Sequence, residues 1–320
     1  MSEILKVENL KTHFFTDRGT IRAVDGVDLS VKKRETLGLV GESGSGKSMT
    51  ALSIMRLVPP PGKTVSGSIR FKGSDLLNIE DREMRKIRGD EISMIFQEPM
   101  TSLNPVYTIG EQIAEVFRYH RDMSRDEIEE RSIEMLRQVE IPSPESRYRD
   151  YPHQLSGGMR QRVMIAMALA LSPDLMIADE PTTALDVTIQ ASILDLINKI
   201  KEEMEMSVIL ITHDLGVVHE VADRISVMYA GAIVEESSVA DLFKNPLHPY
   251  TRALLKSLPS RNVGGKKLFT IPGSVPKLSD LPVGCRFSPR CRDVMDICLK
   301  EEPEMKGEYP SPRVRCWLYC

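Results

Sequence analysis

Apolar and polar positions alternate over residues 5–12 and again over 21–31, the period of half-buried strands. Glu35-Thr-Leu-Gly-Leu-Val-Gly41 is a continuous apolar strand, and Gly-rich residues lead from it into a helix expected at 47–57. Pro59-Pro-Pro-Gly62 ends that helix. Further strands are expected at 67–72 and 92–96. From about residue 108 to 139 the period becomes helical. Ile109, Ile113, Val116 and Phe117 share one face, and Ile128, Ile133, Leu136 and Val139 repeat the spacing. Another helix begins near Ser156. Short apolar strands at 175–179 and 208–212, with a helix at 185–204 between them, suit a parallel sheet covered on both faces. This alternation predicts an α/β core interrupted by a helical insert.

The pattern changes after about residue 240, where prolines multiply and periodic stretches become few. Residues 1–240 are expected to form one domain, with a helical subdomain over about 100–165, and residues 241–320 a loop-rich C-terminal extension. The chain's 320 residues are ample for such a core. A net charge of −4 implies no general affinity for nucleic acid. The opening residues lack the basic, apolar, small-residue order of a secretory signal. The longest apolar run, residues 163–171, is about half of the roughly 20 residues that span a bilayer. Action at a membrane is therefore expected to occur by docking.

Gly41-Glu-Ser-Gly-Ser-Gly-Lys47-Ser48 fits the P-loop pattern in its proper strand–loop–helix setting. Its glycines let backbone N–H groups converge on phosphate oxygens, and the following helix turns its positive end toward them. Lys47 can reach the β- and γ-phosphates, and the Ser48 hydroxyl can ligate Mg²⁺. A nucleoside triphosphate site follows. Asp179 ends the apolar strand 175–179, where open α/β sheets bind ligands. There it suits the Mg²⁺ shell, and Glu180 beside it suits polarising an attacking water.

Leu155-Ser156-Gly157-Gly158-Met159-Arg160-Gln161-Arg162 resembles the signature of ABC transporter ATPases. Gln97 looks like that family's Q-loop glutamine, Thr183-Ala184-Leu185-Asp186 its D-loop, and His213 its switch histidine. With the P-loop, these occur in family order over about residues 1–240. The resemblance implies a P-loop ABC nucleotide-binding domain with a helical insert, hydrolysing ATP to ADP and phosphate. It implies nucleotide contacts from Phe14 (preferred to Phe15 as the adenine-stacking aromatic), Gly41, Ser43, Gly44, Ser45, Gly46, Lys47, Ser48 and Met49. It implies the same of Gln97, Ser156, Gly157, Gly158, Asp179 and Asp186, with Mg²⁺ held by Ser48, Gln97 and Asp179. Glu180 and His213 are then the catalytic pair. In this family the signature serine and glycines of one subunit bind the γ-phosphate held by the other.

The stretches Phe96-Gln-Glu-Pro-Met-Thr-Ser-Leu-Asn-Pro105 and Asn245-Pro-Leu-His-Pro-Tyr-Thr-Arg-Ala-Leu-Leu255 resemble the oligopeptide/dipeptide importer ATPases and their nickel-importing relatives. That narrows the expectation to an ATPase energising import of di- or oligopeptides, with nickel import as the alternative. A soluble ABC protein acting on nucleic acid or the ribosome is the alternative of another class, which the single cassette and acidic balance disfavour. The resemblance further implies a second ABC ATPase subunit, identical or paralogous, two transmembrane permease subunits and, indirectly, an extracytoplasmic peptide-binding protein. No nucleic-acid partner is expected. The location implied is peripheral, on the cytoplasmic face of the cell membrane.

All five cysteines lie between Cys285 and Cys320, a clustering that points to metal ligation rather than a disulfide framework. Cys285, Cys291, Cys298 and Cys316 occur at the family's spacing, with five, six and seventeen residues between successive members. Four thiolates suit a [4Fe–4S] cluster, and zinc would accept the same sulfurs. Unligated buried thiols are the third reading. Cys320 is left over. Because the cysteines lie outside the ATPase motifs, their expected role is structural.

Overall fold

In this computed structural model the described residues are 2–17, 19–97, 102–183, 185–258, 269–308 and 311–320. The alternating N-terminal segments form long strands, Glu3–Thr16 and Gly19–Lys32, paired antiparallel. Gly62–Phe71 pairs antiparallel with the other edge of Glu3–Thr16 and is followed by the short Ser74–Asp75, giving a four-stranded sheet. The continuous apolar segment becomes Thr36–Val40, buried at every position, parallel to Arg224–Tyr229. Ala232–Ser238 and then Arg313–Val314 extend that pairing antiparallel. These strands belong to one of two units, Met1–Leu77 with Leu210–Cys320; the other is Asn78–Ile209.

In the first unit, Val40, Ile225, Val227, Tyr229, Val234, Tyr250, Leu255 and Phe287 form one buried cluster. Phe287 comes from the cysteine-bearing segment, so the extension shares this core rather than lying beside it. The helix after the glycine-rich loop, Lys47–Ile54, is anchored to the antiparallel sheet by buried Thr12, whose hydroxyl lies 2.7 Å from Ser53 Oγ. It ends three residues before the position expected, and the cis Pro60–Pro61 bond follows.

In the second unit, Ile92–Ile95 pairs parallel with Leu175–Asp179. The helical insert is present as two helices, Ile109–His120 and Arg125–Gln138, where the sequence suggests a nearly unbroken stretch. The break falls where Ser124 opens a reciprocal capping box with Glu127. Gly157–Leu169 packs against this pair and against Val187–Met204. Arg162 fastens these elements, donating to Val139 O at 2.6 Å and to Ser192 Oγ at 2.8 Å. The apolar strand expected at 208–212 is found as Ser207–Thr212, along which the chain passes from this unit into the first. Among the described residues, no helix is long and apolar enough to cross a membrane.

Candidate functional site: the phosphate loop and the strand-end carboxylates

Two glycines of the loop have no room for a side chain. A Cβ on Gly46, whose φ is +107°, would stand 2.3 Å from Ala23 O, and one on Gly41 2.2 Å from Met228 O. The loop is thereby pressed onto its neighbours, and Gly231 N–H donates to Ser45 O at 2.8 Å. Lys47, 6% exposed, lies over the loop and donates to Gly41 O at 2.9 Å and Glu42 O at 3.2 Å. Ser45 Oγ is buried and has no hydrogen-bond partner among the described residues. Ser43 and Gly44 are exposed at the loop's tip, and Ser48 and Met49 sit in the first turn of the helix that starts at Lys47. A glycine-rich loop at a helix start, with a buried lysine and a buried hydroxyl, has the chemistry that suits a polyphosphate.

In the same unit, Phe14 is half-buried and packs on Gly62, while Phe15 takes the opposite face and is exposed. His213 follows directly after the Ser207–Thr212 strand and is exposed. Beside it, Asp214 N–H donates to Thr212 Oγ1 at 3.0 Å while the Asp214 carboxylate accepts from Gly216 N–H at 2.7 Å. His213 thus stands on a backbone turn braced from both sides.

The second unit carries the carboxylates. Asp179, 4% exposed, is the last residue of its strand. Glu180 adopts φ +47°, a left-handed conformation unfavourable for a residue with a Cβ, and such strain marks functional positions. Its Oε2 accepts from Gln97 Nε2 at 3.2 Å and from Thr183 Oγ1 at 2.9 Å. The structure therefore brings Gln97 and Glu180 together and adds Thr183, which sequence reasoning had only as part of the D-loop. Ala184 of that loop, and residues 98–101 after Gln97, lie outside the described residues. Asp186 precedes Val187–Met204 and its carbonyl accepts from Gln190 N–H at 2.8 Å.

Ser156 caps the Gly157–Leu169 helix, its hydroxyl accepting from Met159 N–H at 3.3 Å. Gly157, half-buried, and Gly158, buried, form the first turn of that helix at its positive end. A Cβ on Gly158 would meet Ile189 Cγ2 at 2.9 Å, so the small residue also sets the spacing to the neighbouring helix.

Cys285, Cys291, Cys298 and Cys316 line one small pocket together with His248 and Trp317. Burial, with the neighbouring thiols adding to it, pushes the Cys285 and Cys316 thiols up to about 11. Four thiols on one pocket are the right donors for an iron–sulfur cluster or zinc. Even so, no three or more His, Cys, Asp or Glu side chains among the described residues are arranged to hold a metal ion, so the geometry lends the expected group no support. Cys320 is exposed, with Sγ 3.4 Å from Cys316 O.

The extension also reaches the phosphate loop. Arg290 forms a two-pronged ion pair with Glu42, at 2.6 and 3.0 Å, and Glu42 N–H donates to the Tyr250 hydroxyl at 2.9 Å. Arg286 reaches Asp25 at 3.0 Å and Ala230 O at 2.8 Å. None of these contacts was legible in the sequence, because nothing local connects residues 248 positions apart.

A family model described as ABC transporter matches residues 24–183. Curated relatives align over the whole length: the oligopeptide transport ATP-binding protein AppD of Bacillus subtilis is 55% identical over 320 residues, 100% of this chain and 98% of the relative. The chain belongs to the ABC transporter family. This ABC ATPase also matches, over residues 234–298, the family model described as oligopeptide/dipeptide transporter, C-terminal region. The dipeptide transport ATP-binding protein DppD of Bacillus subtilis is 50% identical to it, over 99% of this chain and 95% of that one. Among solved structures, the dimeric post-hydrolysis state of the ATP-binding cassette MJ0796 bound to ADP and phosphate superposes with a TM-score of 0.66. It is 32% identical and covers 73% of this chain and 98% of the cassette. The ATPase assignment and the P-loop expectation agree with these relatives.

Proposed function

We propose that this ABC ATPase energises the import of di- or oligopeptides. The observation that carries this reading is the match of its C-terminal region to the oligopeptide/dipeptide transporter family, alongside whole-chain relatives named for peptide transport. Nickel import has no comparable support. Residues 1–240, with a helical subdomain over about 100–165, serve as the nucleotide-binding domain, and 241–320 as its extension. The chain works on the cytoplasmic face of the membrane with a second ATPase subunit and two permease subunits, receiving cargo from an extracytoplasmic binding protein.

In this reading the amides of Gly41, Ser43, Gly44, Ser45 and Gly46, with Lys47 and Met49, bind the phosphates, and Phe14 stacks on the adenine. Ser48, Gln97 and Asp179 hold Mg²⁺, which supplies charge neutralisation on the phosphates when bound. Glu180, oriented by Gln97 and Thr183, polarises the attacking water and takes its proton. His213 stabilises charge developing on the γ-phosphate. Ser156, Gly157 and Gly158 serve the γ-phosphate held by the opposite subunit, and Asp186 of the D-loop also contacts nucleotide. The four-cysteine pocket takes a [4Fe–4S] cluster or zinc in a structural role, supported by its donor set alone.

The test is uptake in cells lacking the gene. Labelled di- and oligopeptide uptake should be lost, restored by the wild-type chain and not by Lys47→Ala. Unchanged peptide uptake with lost nickel uptake would overturn the peptide reading. For the cysteines, anaerobically purified protein should carry iron and sulfide that Cys291→Ser loses; zinc alone would select the zinc site.

A further inference from the structure

Arg290 sits in the cysteine-bearing extension, yet its guanidinium ends at the phosphate loop. Its side chain is 3% exposed, held by Pro272 O at 2.9 Å and flanked by the rings of Tyr229 and Phe287 at 5.8 and 6.0 Å. Both prongs go to Glu42 Oε1 and Oε2. Glu42 is the first variable residue of the loop, and all its polar groups are engaged. Its carboxylate meets Arg290, its amide the Tyr250 hydroxyl, and its carbonyl Lys47 Nζ at 3.2 Å. Arg290 is therefore one residue removed from the lysine that binds phosphate. A carboxylate at the edge of a polyphosphate cradle also repels the ligand unless a cation compensates it, and screening is weak where burial excludes water.

We propose that Arg290 is a positioning residue for nucleotide binding, fixing Glu42 and cancelling its charge so that the C-terminal extension sets the affinity of the phosphate loop for ATP. This rests on the ATPase assignment and not on the cargo or on any metal at the cysteines. Bidentate pairing and ring stacking require the planar guanidinium, so lysine is an incomplete substitute.

The experiment uses the full chain and a fluorescent ATP analogue with Mg²⁺, with thermal midpoints measured in parallel without nucleotide. Arg290→Met should weaken binding about tenfold or more, the scale of coupling between contacting groups. Adding Glu42→Gln to Arg290→Met should recover most of that loss by removing the uncompensated anion, and Arg290→Lys should fall between. Arg292→Ala, an exposed residue of the same segment packed on Phe269, should leave affinity unchanged. Unaltered affinity in Arg290→Met beside a lowered thermal midpoint would assign Arg290 a structural role and sink the proposal. Equal losses in Arg290→Met and in the double variant would sink its electrostatic half. Should Arg290→Met fail to fold, Arg290→Lys and Glu42→Gln alone carry the comparison, and affinity unmoved in both overturns it. Wild-type protein that binds no analogue would instead strike the ATPase assignment.

Discussion

Glu180 and His248 show how single residues are tuned by where the fold puts them. Glu180 is fixed by hydrogen bonds from Gln97 and Thr183 to one of its oxygens and by a left-handed backbone. Glu180→Gln keeps shape and loses basicity, so turnover should fall by about 10²–10⁴-fold, the usual worth of a general base, with nucleotide binding retained. Single-turnover hydrolysis beside equilibrium binding measures both. His248 is buried, and its Nδ1 accepts from Tyr250 N–H at 3.0 Å. Burial pushes it down to about 3 from 6.5, so the folded chain keeps it neutral where an unfolded chain protonates it. Its contribution is complete above pH 6.5 and is lost as pH falls toward 3, at about 1.4 kcal/mol per pH unit. His248→Asn should flatten that part of the slope when denaturant midpoints at pH 7 and pH 5 are compared. The phosphate loop, the strand-end Asp179-Glu180 pair and Ser156 could be read directly from the sequence, because each is a short motif whose chemistry is local. Thr183 as a partner of Glu180, and Tyr250 and Arg290 as partners of Glu42, could not, since only folding makes them neighbours.

Periodicity located the longer helices, because an amphipathic face repeats along the chain whatever it packs against, but not the short Asp81–Ile87, Leu215–Val221, Val239–Lys244 and Pro249–Lys256. It missed Arg224–Tyr229 and Ala232–Ser238, which are buried strands carrying Arg224, Glu235 and Glu236. Charged residues at buried positions erase the apolar signature. Their compensation lies in tertiary contacts: Arg224 pairs with Glu35 and Glu236, each at 2.8 Å, and Glu235 accepts from Leu247 and His248 N–H at 2.8 Å. Arg224→Met would leave buried Glu35 without its cation and Glu236 with Arg313 at 3.5 Å alone, and chemical unfolding should show a loss of about 3–5 kcal/mol. The Gly157–Leu169 helix offers a packing test. Gly158→Ala puts a methyl 2.9 Å from Ile189, so a cost of about 1–3 kcal/mol is expected, relieved in part by Ile189→Val.

For the whole molecule, nucleotide should act as a stabiliser through binding linkage. Mg²⁺–ATP at about 100 times its dissociation constant should add about 2.7 kcal/mol, and Lys47→Ala should abolish the shift seen by thermal denaturation. The extension enters that behaviour because Phe287 lies in the core with Tyr229 and Tyr250 while Arg290 holds the phosphate loop. By itself the sequence determined a nucleoside triphosphate site, because the glycines, lysine and helix start that bind phosphate are all encoded within eight residues, and the motifs at Gln97, 155–162, 183–186 and His213 resembled those of the ABC transporter ATPases. Alternation and helical period likewise determined an α/β core with a helical insert. Only the tertiary structure decided that the cysteine-bearing extension is part of the core and touches the phosphate loop. A salt bridge spanning 248 residues leaves no local pattern, and a buried charge looks like a surface charge until its partner is in place.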